Sequence, residues 1–303
     1  EKYDLDNAVC YDDYNEMLKN HEFDIVVVAT SDQAHSGATI AALNAGFNVM
    51  CEKPMSLYID ECKEMIKAQK ESGKKLMVGQ VCRKTPAFIK AKQIVDEGII
   101  GELAYIESEY SHNYENMHIH WRNSYDVPRH GFVGGACHSV DLLRWYAGNP
   151  TEVFAYGNHK LLGPEYGPCD DTMCSLMRFP NDVVGRVFVS IGCQSPGTGI
   201  RTLLYGTKGT IICDNTSPNI TLYQVGDGER INGKRPYTVP QQIPVEINNH
   251  NITLEIDQFV DALANGTALP VTSMEGAKTV AVCRACVESA ATHALVQVKY
   301  PNV

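Results

Sequence analysis

Positive charge is in short supply along this 303-residue chain: 26 Lys and Arg stand against 36 Asp and Glu, for a net charge of −10. No basic stripe is present to displace phosphate counterions, which excludes non-specific nucleic-acid binding. Also lacking is any apolar run of about 18 residues, so no helical membrane span is expected. The longest candidate, residues 25–29, is only strand length. Low-complexity segments and internal repeats are missing too, which removes solenoid architectures from consideration.

Cysteine, by contrast, is plentiful, at eleven residues in a chain that is 44% hydrophobic and 20% charged. A chain of this length is expected to form about two domains of roughly 150 residues and to bury a core without a disulfide scaffold. Cys51, Cys62, Cys174, Cys193 and Cys213 lie in or beside apolar runs, and Cys283 and Cys286 share a Cys-x-x-Cys spacing inside a helical pattern over 273–294. The expectation is small buried hydrophobes in a reducing cytoplasm, not a redox or zinc site.

The order of elements follows from periodicity and punctuation. Residues 14–20 predict a short helix, 24–30 a strand, 35–45 a helix ending at Gly46, and 47–51 a strand. Ser56 then predicts the cap of a helix that runs through Glu71 and stops at Gly73, followed by a strand over 75–81. The runs Ile25-Val26-Val27-Val28 and Leu76-Met77-Val78 are continuously apolar, as strands covered on both faces require. Alternating strands and helices predict a partial Rossmann-type parallel sheet over residues 1–83. After Arg83 the character changes. A helix over 86–97 precedes an alternating strand over 103–110, a loop rich in His, Asn and Tyr, and a helix over 138–146. Strands are expected at 153–157, 172–179, 183–191, 201–205, 210–214 and 220–223, and helices at 251–265 and 274–294. Residues 84–303 therefore predict an α+β domain with a mostly antiparallel, open-faced sheet and helices on one face.

Two segments carry chemistry. Glu52-Lys53-Pro54 closes the apolar run Asn48-Val49-Met50-Cys51, which places Lys53 at a parallel strand's carboxyl end, where open α/β sheets bind ligands. Gly134-Gly135-Ala136-Cys137-His138 opens a helix bearing an ionisable imidazole. Together they suggest an acid/base pair beside a nucleotide, Lys53 or His138 taking a proton while the other polarises the same oxygen. A plain alternative for His138 is that it caps helix amides. His118 and His120 would point to one side of a strand, but no metal is expected there.

These pieces, in order, resemble the Gfo/Idh/MocA family of NAD(P)-dependent oxidoreductases over nearly the whole chain. The resemblance is carried by the strand ending Ala29-Thr30 with His35, by Glu52-Lys53-Pro54, and by Gly79 with Arg83 and Pro86. It continues through Gly98-Ile99-Ile100-Gly101, Trp121-Arg122, the Gly-Gly to His138 segment with Asp141 and Arg144-Trp145, and Tyr205-Gly206-Thr207-Lys208-Gly209. It implies NAD or NADP as cofactor and, as its ligands, Thr30, Ser31, His35, Glu52, Lys53, Pro54, Gln80, Arg83, Trp121 and Arg122. For a sugar or cyclitol substrate it implies Lys53, Tyr114, His118, Arg122, His138 and Asp141. It further implies a cytoplasmic homodimer or homotetramer assembled through the antiparallel sheet, with residues 84–303 forming the substrate-binding and oligomerisation domain.

The chain departs from the family pattern in three places. The opening strand and its Gly-x-Gly-x-x-Gly turn are missing, so a βαβ unit of about 30 residues is expected to precede Glu1. Ser31-Asp32 stands where the family has Pro-Asn, and Gly134 stands four positions before the histidine, where an acid is usual. Two other activities share such a pocket: glycoside cleavage through transient sugar oxidation, and non-catalytic sugar sensing.

Overall fold

The computed structural model describes residues 8–115, 120–194, 199–226, 232–233 and 239–302. The chain opens with α1 (Tyr14–Asn20), then alternates β1 (Ile25–Val28), α2 (His35–Asn44), β2 (Asn48–Cys51), α3 (Ile59–Ser72) and β3 (Leu76–Val78). These three strands pair in parallel in the order β1-β2-β3. Val28, Val49, Cys51, Leu76 and Val78 are buried with Leu43, Met65 and Ile66 of the flanking helices. Among the described residues nothing pairs with the outer edge of β1, where Val27 is exposed.

The expected start of α3 is displaced. The helix begins at Ile59, and the Ser56 hydroxyl accepts the Tyr58 amide at 3.1 Å while bonding to the Glu61 carboxylate. Ser56 therefore ties down the approach to the helix and does not cap it.

The second half begins with α4 (Pro86–Asp96) and β4 (Leu103–Ser111). Next come a short α5 (Gly131–Gly134) and then α6 (Cys137–Ala147). Strands β5 (Glu152–Asn158), β6 (Thr172–Arg178), β7 (Val184–Ser190), β8 (Gly199–Gly206), β9 (Gly209–Asp214) and β10 (Asn219–Gln224) build the large sheet. Two strands not expected from sequence, β11 (Gln241–Pro244) and β12 (Val296–Gln297), complete its edges. The order is β11-β10-β9-β8-β4-β7-β6-β5-β12, antiparallel throughout except for the parallel pair β4–β7. One face carries the core against α4, α6 and the last helix, α8 (Ser273–Thr292), which follows α7 (Ile252–Asn265). On the other face Tyr156, Leu176, Tyr205 and Tyr223 stay exposed.

Helix α8 belongs to both halves. Ala277 and Val280 pack in the core of the three-stranded sheet, while Val282, Cys283 and Cys286 pack in that of the large sheet. The residues leading into it extend the small sheet, since the Val78 amide donates to Val271 O at 3.2 Å and Met77 bridges Thr272.

All eleven cysteines are free. Burial pushes the thiols of Cys51 and Cys286 up to about 12. Seven of the eleven are buried, whereas Cys169, Cys174 and Cys193 are only partly covered and Cys10 is exposed.

Candidate active site

The carboxyl ends of β1 and β2 open onto a cleft of about 430 Å³ whose lining includes Thr30, Ser31, Glu52, Lys53 and Arg122. Position along the chain explains why. The turn after β1 and the Glu52-Lys53-Pro54 turn after β2 leave the same edge of a parallel sheet, so both face the second domain. His35 staples the two turns together, with its ring nitrogens 2.8 Å from the Pro54 carbonyl oxygen and 3.3 Å from that of Thr30. Its buried ring acts on the cleft through the turns that it holds. Glu52 accepts the Lys53 amide at 3.1 Å, which fixes the backbone from which the lysine side chain departs.

The opposite wall comes from the second domain. Trp121 and Arg122 lie in a single 3-10 turn, His120–Asn123, with the Arg122 guanidinium 4.4 Å above the Trp121 ring. The Gln33 side chain donates to the Trp121 carbonyl at 2.8 Å and ties this turn to the Rossmann half. Arg122 Nε is buried without a partner, as is Gln80 Oε1 at the end of β3. A dinucleotide, which is polar and anionic, suits a cleft with such unused groups beside Lys53. The residues present fit NAD: Thr30, Ser31, Lys53 and Arg122 line the space, and the Arg122 Nε donor is unused.

His138 lies in the first turn of α6 and is fully buried. It is not a capping residue: the position before the helix is Ala136, and no side chain caps it. Its Nδ1 has no partner. Burial, reinforced by the Lys53 charge and then by His250 and Arg129, holds its pKa well below the usual histidine range, so the ring is neutral at physiological pH. Tyr110 from β4 stacks on this ring with centroids 6.3 Å apart. The Tyr110 hydroxyl lies 3.1 Å from His112 Nδ1 and 3.2 Å from the Tyr114 hydroxyl. Tyr114 thus sits in the wall of the chamber, buried and bonded to its neighbours. His118 lies outside the described residues.

Two of the expected ligands are placed elsewhere. Arg83 and Asp141 form a buried, two-pronged ion pair, Nε to Oδ2 at 2.6 Å and Nη2 to Oδ1 at 2.7 Å, and Thr279 of α8 adds a bond to Asp141 at 3.1 Å. The planar guanidinium is spent on the carboxylate. This pair joins the first domain to α6 and α8, and neither side chain lines the cleft.

Several residues of the site escaped the sequence reading. Arg129 and Asp32 form a second buried ion pair across the domains. Burial opposes the Arg129 charge, but the attraction of Asp32 outweighs it and raises the guanidinium pKa. An ideal Cβ on Gly134 would lie 2.0 Å from Arg129 Cζ. Two departures from the family pattern, Asp32 and Gly134, are therefore one structural fact, because the arginine occupies the space next to the glycine and pairs with the aspartate. A signal was available in the sequence, namely two departures together with an unassigned arginine five residues before the glycine. Desolvation lowers the pKa values of His112 and His250, with the charges of Arg122 and then Lys53 adding to it at His112 and that of Lys53 at His250. At the start of α7, Glu255 is buried with both carboxylate oxygens unpartnered. No group of three or more His, Cys, Asp or Glu residues with metal-binding geometry occurs among the described residues.

A parallel sheet whose strand ends open, with a lysine among them, onto a cleft closed by a second domain built on a mixed sheet defines a dinucleotide-dependent oxidoreductase architecture. The model of an oxidoreductase family's NAD-binding Rossmann fold matches residues 1–80, and the model of the same family's C-terminal alpha/beta domain matches residues 92–298. The chain belongs to the Gfo/Idh/MocA family of oxidoreductases, and residues 1–80 form its NAD-binding domain. Among curated relatives, levoglucosan dehydrogenase of Pseudarthrobacter phenanthrenivorans is 25% identical over 94% of this chain and 83% of its own length. Inositol 2-dehydrogenase 2 of Saccharopolyspora erythraea is 26% identical over 91% of this chain and 77% of its own. A solved structure of levoglucosan dehydrogenase in complex with NADH and levoglucosan superposes with a TM-score of 0.84 at 25% identity, covering 95% of this chain and 83% of that one. Among the described residues no helix is long and apolar enough to cross a membrane.

Proposed function

We propose that this protein oxidises a secondary hydroxyl of a sugar or cyclitol with NAD(P), and that Lys53 and His138 handle the proton. The observation that carries the reading is the unpartnered, buried Nδ1 of His138, a ring kept neutral by burial and by the Lys53 charge. A neutral imidazole accepts a hydrogen bond from a hydroxyl, which a cationic one does not. The Lys53 ammonium stabilises negative charge developing on the same oxygen, while the neutral His138 imidazole takes the released proton. When bound, the dinucleotide supplies the carbon that accepts hydride. Thr30, Ser31, Lys53 and Arg122 orient it, and the Trp121–Arg122 turn shields the chamber from water. Names of relatives support the substrate class, since two are dehydrogenases of levoglucosan and of inositol.

The test is steady-state NADH production with levoglucosan, myo-inositol and free hexoses. Turnover with one of them is expected. A Lys53→Met variant should lose about 10²- to 10⁴-fold in kcat, with NADH affinity by calorimetry within a few-fold of the parent. Near-normal kcat in that variant refutes the role of Lys53, and product formation without net NADH favours the glycoside-cleaving alternative. We further propose that a second copy covers the exposed aromatic face of the large sheet, giving a homodimer or homotetramer.

A further inference from the structure

We propose that His250 contacts the substrate, holding the hydroxyl next to the one that reacts at His138 and Lys53, so that the preferred substrate is a vicinal diol. The inference rests on the polyol-oxidation reading and deepens it. His250 comes from a part of the chain remote from both motifs, and the structure clamps it in place. Thr85 Oγ1 donates to the Asn249 carbonyl at 3.0 Å, and the Asn215 amide bonds the Asn249 side chain. On the other side the Asn251 side chain caps α7 by accepting the Leu254 amide at 3.2 Å. The backbone on both sides of His250 is thereby fixed while its ring is left free to act.

That ring meets His138 edge-on, with centroids 6.1 Å apart and planes at 78°. Its position is exposed, and neither nitrogen has a hydrogen-bond partner among the described residues. His35 shows what a histidine satisfied by the protein looks like here, with both nitrogens against carbonyl oxygens. His250 has a polar edge and no protein group to satisfy it, next to the ring of His138. Burial and Lys53 together disfavour its cationic form, although Glu52 opposes them. A neutral imidazole has one donor and one acceptor, which is the complement of a hydroxyl. With His138 and Lys53 committed to the reacting oxygen, the hydroxyl on the adjacent carbon is the group nearest to a ring that meets His138 edge-on.

The test compares the full-length parent with His250→Ala and His250→Gln. The probes are myo-inositol and levoglucosan, each beside its monodeoxy analogues. In His250→Ala the KM for the diol should rise about 10- to 100-fold, with kcat and NADH affinity within a few-fold. For the analogue lacking the neighbouring hydroxyl, KM should be nearly the same in parent and variant. His250→Gln, which keeps an amide donor and acceptor, should recover part of the loss. A general structural defect would instead raise KM equally for diol and deoxy analogue, which would overturn the proposal, as would an unchanged KM for the diol. Calorimetry with the same polyols separates this proposal from the reading beneath it. If the parent makes no NADH yet binds polyol in a His250-dependent way, oxidation fails and the contact stands. Turnover and binding that are both indifferent to His250 overturn the contact alone, and absence of polyol binding overturns both.

Discussion

Gly134 shows how much a single missing side chain decides. With a Cβ there, the Arg129 guanidinium must leave the place where Asp32 holds it. Gly134→Ala is therefore expected to destabilise the fold by about 1–3 kcal/mol. The cost should shrink in an Arg129→Ala background, where the space has opened, and a four-protein denaturation cycle measures that coupling. Titration makes a second residue-scale prediction. Burial, with Arg284 adding to it, holds His130 down to about 4. Below the ordinary histidine pKa of about 6.5 the unfolded chain binds a proton that the folded chain refuses. Stability should therefore fall as pH drops from about 6.5 to about 4, by up to ~3 kcal/mol for this residue. Glu255 works in the opposite direction, because burial, reinforced by Glu52, pushes its carboxyl up to about 8. The folded form keeps a proton that the unfolded form releases, so stability is lost as pH climbs from the ordinary glutamate range through about 8. Glu255→Gln should flatten that alkaline decline in urea melts taken between pH 5 and 9.

Among the elements, packing of α8 against β3 is close enough to be tested by one methyl group. An ideal Cβ on Gly276 would approach Val78 Cγ2 to 2.6 Å. Gly276→Ala should cost about 1–3 kcal/mol despite the better helix propensity of alanine, read as a lower melting temperature. The regular elements were legible in the sequence because their patterns are local: the apolar runs of β1 and β3, the alternation of β4, and the glycines that end α3 and α7. β11 was not legible, since Gln-Gln-Ile-Pro has no strand pattern of its own and is held by pairing to β10. β12 is too short to show a period, and the parallel pairing of β4 with β7 is a property of topology that no window of sequence contains. The site divides in the same way. Lys53 and His138 stand in motifs whose flanks announce a strand end and a helix start. His250, Arg129 and Glu255 reach the chamber through long-range folding, and Arg83 and Asp141 found each other across 58 positions.

At the scale of the whole molecule, the exposed face of the large sheet predicts assembly. Tyr156, Leu176, Tyr205 and Tyr223 point the same way, as the registers running from β5 through β6, β7, β4, β8 and β9 to β10 require. Sedimentation of the intact protein should give a dimer or tetramer, and charge introduced by Leu176→Glu with Tyr205→Glu should shift it toward the monomer. The shared helix has a consequence for mechanics. A molecule whose two cores are threaded by one rigid rod behaves as a bracket, not as a hinge: its jaws are set at a fixed spacing before any ligand arrives. Separating them means stripping α8 from one side, which costs as much as melting that side. Heating should accordingly give one cooperative transition, and adding NADH should raise its midpoint without splitting it.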